Sequence, residues 1–161
     1  MPDVLCSRTK SILMKNFFWL SLSVTLLMFS CAEKAPINDD TPREEIAVGD
    51  TVYLRSGVKY VFIKKSDSQD SVTRDKLITT HINLDANGQR VWSTYETQPF
   101  AFVLNRQPMI TGFNEFIMYM REGDHLHAFI PSHLGYGASG NGPTIPPYSD
   151  LLFDIEVLSI D

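Results

Sequence analysis

MITGFNEFIMYM, Met109 to Met120, contains the one stretch of this chain whose apolar residues keep a helical spacing. Phe113, Phe116, Ile117 and Met120 stand at i, i+3, i+4 and i+7, which predicts a helix from Phe113 to Met120 with a single apolar stripe. Around it the period changes to two. Val52 to Leu54, Val58 to Ile63, Leu77 to Leu84, Phe100 to Leu104, Leu126 to Ile130 and Leu151 to Ile160 mostly alternate between Gly and Pro punctuation, as half-buried strands do. One short stripe among many one-faced strands implies an α+β arrangement, an antiparallel sheet with one face packed on one helix. The 114 residues of 48–161 suffice for such a domain and its core.

The first 47 residues have another character. FFWLSLSVTLLMFS, Phe17 to Ser30, carries no charge, follows Arg8, Lys10 and Lys15, and ends at Cys31. A spanning helix needs about 20 apolar residues, so this shorter run with basic residues upstream reads as a signal peptide over residues 1–30, with Met14 as an alternative start. LMFSC resembles the loose lipobox of Bacteroidetes lipoproteins. That resemblance implies a lipid thioether on Cys31, attachment to a bilayer and a place in the cell envelope, at the outer membrane, facing the periplasm or the cell surface. An ordinary secretory peptide with an incidental cysteine is the alternative. Cleavage before Cys31 would also remove Cys6, leaving one cysteine and no internal disulfide. AEKAPINDDTPREEIA, Ala32 to Ala47, has almost no large apolar residues, so residues 31–47 are expected to form a lipidated, disordered tether. The net charge of −5 would become more negative without the leader, which argues against a nucleic-acid partner.

Within 48–161 a series of short motifs follows in order: SGVKY (Ser56 to Tyr60), a hairpin turn at Ala86-Asn87-Gly88, PFAFVL (Pro99 to Leu104), MITGF (Met109 to Phe113), MREGD (Met120 to Asp124), IPSHLGYG (Ile130 to Gly137), TIPP (Thr144 to Pro147) and LLFDIEVLSI (Leu151 to Ile160). In order and spacing they resemble the FKBP-type peptidyl-prolyl cis-trans isomerases, and SGVKY resembles the bacterial branch. The resemblance implies a half-barrel sheet wrapped on one short helix, with a shallow apolar pocket that accepts a proline ring, no cofactor, and proline-containing polypeptides as substrates. Carried over position by position, Phe100, Phe113 and Phe153 would enclose the ring, with Phe113 where the family commonly has tryptophan. Met109 would add to the wall. The Ile110 N–H and the Tyr136 hydroxyl would hold substrate carbonyls, and Ile145 would sit in a flap above. Tyr136 lies between Gly135 and Gly137 in a loop with no core to fill, which favours a functional hydroxyl.

The pattern breaks after the Asn87-Gly88 turn. Where the family places a Phe-Asp pair, this chain has Val91-Trp92, or Trp92-Ser93 if the register shifts by one, so no carboxylate is expected in the pocket. The family's pocket tyrosine on the preceding strand aligns with His81. Glu96 is the nearest downstream acid, and loop acids are usually just solvated.

Other signals carry less. GYGASG (Gly135 to Gly140) matches a dinucleotide fingerprint literally, but that motif needs a helix directly after it, and Pro143, Pro146 and Pro147 oppose one. His125 and His127 share one face of a strand, yet no third ligand is in view and no metal is assigned. Only eight residues separate Tyr136 from Ile145, too few for the inserted chaperone domain of some bacterial relatives, and a monomer is the default expectation. Two functions remain: an isomerase for exported proteins, or a proline-peptide or partner-binding module within an envelope machine such as a gliding or secretion apparatus.

Overall fold

The computed structural model describes residues 36–104 and 106–161, so the leader and Cys31 lie outside the described residues. Eight strands run in chain order among them: β1 (Ile37–Asn38), β2 (Thr51–Tyr53), β3 (Lys59–Lys64), β4 (Leu77–Ala86), β5 (Gln89–Ser93), β6 (Phe100–Val103), β7 (His125–Ile130) and β8 (Leu151–Ile160). They form one sheet in the order β1-β2-β3-β7-β8-β4-β5, with β6 paired to the first half of β4. Every pairing is antiparallel except the short parallel match of β1 to β2. The sheet curls without closing around one helix, α1 (Thr111–Ile117), which is the expected α+β half-barrel.

Alternation sorts the two faces. Along β4 the even positions Ile78, Thr80, Ile82, Leu84 and Ala86 are buried and the odd ones between them are partly exposed, because successive side chains of a strand point to opposite sides. β8 does the same with Leu151, Phe153, Ile155 and Val157 inward. The whole apolar stripe of the helical region, Phe113, Phe116, Ile117 and Met120, is buried against this inner face. The helix itself is shifted from the expected span: it begins two residues earlier, at Thr111, and stops at Ile117. Tyr119 and Met120 then donate to Phe116 and Ile117, a tight turn that buries Met120 without a further α-turn. Gly112 sets how near α1 lies to β7, since a Cβ there would stand 2.3 Å from Cγ2 of Ile130.

The expected disordered tether needs correction. From residue 36 onward it belongs to the folded unit: β1 pairs with β2, a short 3₁₀ turn covers Arg43–Glu45, and Ile37 and Ile46 are buried. Composition hid this because the strap is held mainly through polar groups. The Arg43 guanidinium sits 4.7 Å over the Phe62 ring and donates to Asp124 Oδ1 at 2.7 Å. Asp124 is fully buried, and its carboxylate also accepts from the backbone N–H groups of Ser66 and Arg121, each at 2.7 Å. Lys65 Nζ reaches the carbonyls of Arg43 and Ile46 at 2.6 and 2.5 Å. A buried carboxylate is tolerated when it is paired and hydrogen-bonded in this way.

Candidate functional site

Between the inner face of the sheet and the start of α1 lies an apolar cavity of about 400 Å³. Its back is sheet: Ile82 and Leu84 from β4, Trp92 from β5, Phe100 from β6 and Phe153 from β8. Its front is the segment Pro108-Met109-Ile110 with Phe113 behind it on α1, and Tyr136 stands at the side. The aromatic rings lock one another in place. Phe113 meets Phe102, Phe116 and Phe153 with ring centroids 5.4, 5.2 and 5.5 Å apart, while Phe100 stacks on Phe102 at 5.4 Å and takes the edge of Trp92 at 5.3 Å. Such offset and edge-on contacts fix ring positions as well as burying area. Phe113 and Phe153 are nearly inaccessible, whereas Phe100 and Trp92 present exposed edges at the mouth.

Eight of the sequence-predicted pocket residues therefore meet in one place: Phe100, Phe113, Phe153, Met109, Ile110, Trp92 and Tyr136 on this cavity, and Ile145 over an adjoining one. Ile145 and Val91 line a second cleft of about 380 Å³ that shares Leu84, Trp92 and Tyr136 with the first. Val91 thus lies beside the main cavity, and Trp92 is the residue directed into it. Trp92 is paired with Leu84 and Ser93 with Asn83, so Ser93 faces the outer side of the sheet. The same two-residue rule corrects His81. Its neighbour Ile82 lines the cavity, and the His81 ring lies outside, stacked on Tyr95 at 4.9 Å and 3.3 Å from the Thr94 hydroxyl. The irregularity between Leu84 and Asp85 displaces the register by one residue relative to a count from the turn. Ile82, Leu84 and Pro108 also line the cavity and were not singled out from the sequence, because nothing in their local spacing separates them from ordinary core residues.

The flap is a tight loop. Tyr136 separates two 3₁₀ turns, Ser132–Leu134 and Gly137–Ser139, and no α-helix follows the glycine-rich segment, so the phosphate-binding geometry of the dinucleotide motif is not formed. Asn141 and Ile145 then exchange backbone hydrogen bonds of 2.8 and 3.3 Å. Gly140 closes this loop at φ 63°, where a Cβ would meet the Ile145 carbonyl oxygen at 2.3 Å. Ile145 is buried beneath it.

Among the described residues, no Asp or Glu lines either cavity, and Glu96 is exposed elsewhere. Nor do the Ile110 N–H and the Tyr136 hydroxyl have a hydrogen-bond partner among the described residues. An apolar slot with two such donors beside it suits a ring flanked by carbonyls.

Residues 68–158 match the family described as FKBP-type peptidyl-prolyl cis-trans isomerase. The chain is 32% identical over 117 residues to a macrophage infectivity potentiator of Trypanosoma cruzi, covering 73% of this chain and 60% of that protein. It is 31% identical over 135 residues to a "Probable FKBP-type peptidyl-prolyl cis-trans isomerase" of Haemophilus influenzae, covering 82% of this chain and 55% of that one. An FK506-binding protein of Neisseria meningitidis is 37% identical over 75 residues, 46% of this chain and 69% of its own. The chain therefore spans between half and two thirds of the length of the first two. Ring-walled cavity, single helix, curled sheet and sequence similarity agree, and the chain belongs to the FKBP-type peptidyl-prolyl cis-trans isomerase family.

Proposed function

We propose that this chain is a peptidyl-prolyl cis-trans isomerase acting on exported polypeptides at the cell envelope, tethered there by a lipid on Cys31. The observation that carries the catalytic part is the cavity whose aromatic walls stand beside the unpartnered Ile110 N–H and Tyr136 hydroxyl. An X-Pro bond resists rotation by about 18–20 kcal/mol because twisting the amide removes its conjugation. Walls formed by Phe100, Phe113 and Phe153 hold the proline ring while the two donors hold the flanking carbonyls. A site so arranged binds the twisted amide more tightly than either planar form, and each 1.4 kcal/mol of preference is about tenfold in rate. No covalent step is required.

A protease-coupled cis/trans assay on a proline peptide tests this. Tyr136→Phe removes one donor without opening a cavity, and kcat/KM is expected to fall about tenfold with the melting temperature unchanged. Wild-type turnover no faster than the uncatalysed background would sink the enzymatic reading. A second reading is supported by the pocket's lack of a carboxylate: a module that binds proline segments or a partner and turns them over weakly or not at all. Saturable binding of the same peptide without turnover would favour it. The anchor has its own test, metabolic palmitate labelling of wild type against Cys31→Ala. Loss of label is expected, and equal labelling would remove the tether.

A further inference from the structure

The outer face of the sheet gathers a group that the pocket does not use. His125 and His127 share the outer face of β7, and the β7–β8 register sets Asp154 directly opposite His127. His125 Nε2 lies 2.5 Å from Asp154 Oδ1 and His127 Nε2 lies 3.7 Å from the same oxygen. One ligand atom from each of the three falls within 4.8 Å of the others.

We infer that His125, His127 and Asp154 form a binding site for one divalent transition ion of the zinc or copper type, on the face of the sheet opposite the proline pocket. Two imidazoles and one carboxylate are the donor set such ions favour over magnesium or calcium, which take oxygen ligands. With metal–ligand distances of about 2.0–2.2 Å, donor atoms around one ion stand roughly 3.3 Å apart, so side-chain rotation alone brings this set together. Three protein ligands leave the fourth position to water or an external ligand.

The surroundings favour the ion in two ways. Asn83 Nδ2 donates to Asp154 Oδ2 at 3.0 Å, which orients the carboxylate and leaves Oδ1 toward the histidines. The ligands sit on two paired central strands, so their Cα positions are held by the ladder. His125 is flanked across the ladder by Glu156 on β8 and Lys64 on β3, so a second carboxylate and one ammonium border the set. His127 is half exposed, so an ion reaches the site from solvent. The competing account is a His125–Asp154 hydrogen bond and nothing more.

The full chain carrying Cys6→Ser and Cys31→Ser, which removes thiol ligands, is titrated with Zn²⁺ and with Cu²⁺ against a chromophoric chelator, and with Co²⁺ for its visible absorption. One equivalent is expected to bind with a rise in melting temperature. His127→Ala, an exposed change that keeps the fold, should weaken binding at least tenfold, as should Asp154→Asn, while His133→Ala should leave it unchanged. The inference is overturned if no saturable binding of Zn²⁺ or Cu²⁺ occurs at tens of micromolar, or if His127→Ala and Asp154→Asn bind as the parent does. Chelator should leave isomerase turnover unaltered, which separates a failure of this site from a failure of the pocket.

Discussion

The inner and outer faces of β4 and β8 are built from alternate residues of the same two strands, yet they share almost no chemistry. Inward stand Ile82, Leu84, Phe153 and Ile155; outward stand His81, Asn83, Asp154 and Glu156. Each outward pair is also a cross-strand neighbour, His81 with Glu156 and Asn83 with Asp154. A sheet two residues in period therefore separates a face that binds by shape from a face that responds to protons and ions, with only one backbone thickness between them.

The largest way to break this contrast is to truncate one residue on each side of β8. Phe153→Ala removes a ring wedged against Phe113 and Phe116, and is expected to cost about 3–5 kcal/mol in urea unfolding and to abolish turnover. Glu156→Ala, three positions on and facing outward, is expected to stay within about 0.5 kcal/mol and keep full activity. Comparable losses from the two would mean that the faces are not independent. Next in size is Gly112→Ala. Its methyl would press on Ile130, forcing α1 away from β7, with about 1–3 kcal/mol lost and a raised KM because Ile110 and Phe113 move with the helix.

The smallest effect sharpens the comparison through pH. Burial pushes the Asp154 carboxyl up, but hydrogen bonds from His125 and Asn83 outweigh it and hold the group below its ordinary value. A carboxyl lowered on folding stabilises the protein above its unfolded pKa, and this contribution disappears as pH falls through the folded one. In the presence of chelator, the stability of wild type over Asp154→Asn should thus be greatest near neutrality and shrink below about pH 4. The pocket lining carries no carboxylate or imidazole, so kcat/KM should be flat between about pH 5 and 8 while this outer-face difference changes below it.

What could be read before folding follows the same division. The aromatic wall was legible because Phe100, Phe113 and Phe153 each lie within a motif whose spacing is local. Asp154 was not: it joins His125 and His127 only through the β7–β8 ladder, and cross-strand partners leave no trace in linear spacing. His81 was matched to the family's pocket tyrosine by resemblance, yet the unbroken alternation of β4 puts it on the outer face and its neighbour Ile82 on the cavity. The strap of residues 36–47 looked like a solvated linker because its hold on the domain is a cation over Phe62 and a buried carboxylate, and apolar periodicity does not register either.

That strap also has a place in time. Arg43 precedes Asp124 by 81 residues, which at about 5–20 residues per second of synthesis is a delay of roughly 4–16 s. Asp124 has a still later tie, since its backbone carbonyl accepts from the Val157 N–H and the neighbouring Gly123 N–H donates to the Val157 carbonyl on β8. The first segment of the domain to leave the ribosome is therefore among the last to be fastened, and a nascent chain halted before β8 would carry its N-terminal strap unlatched.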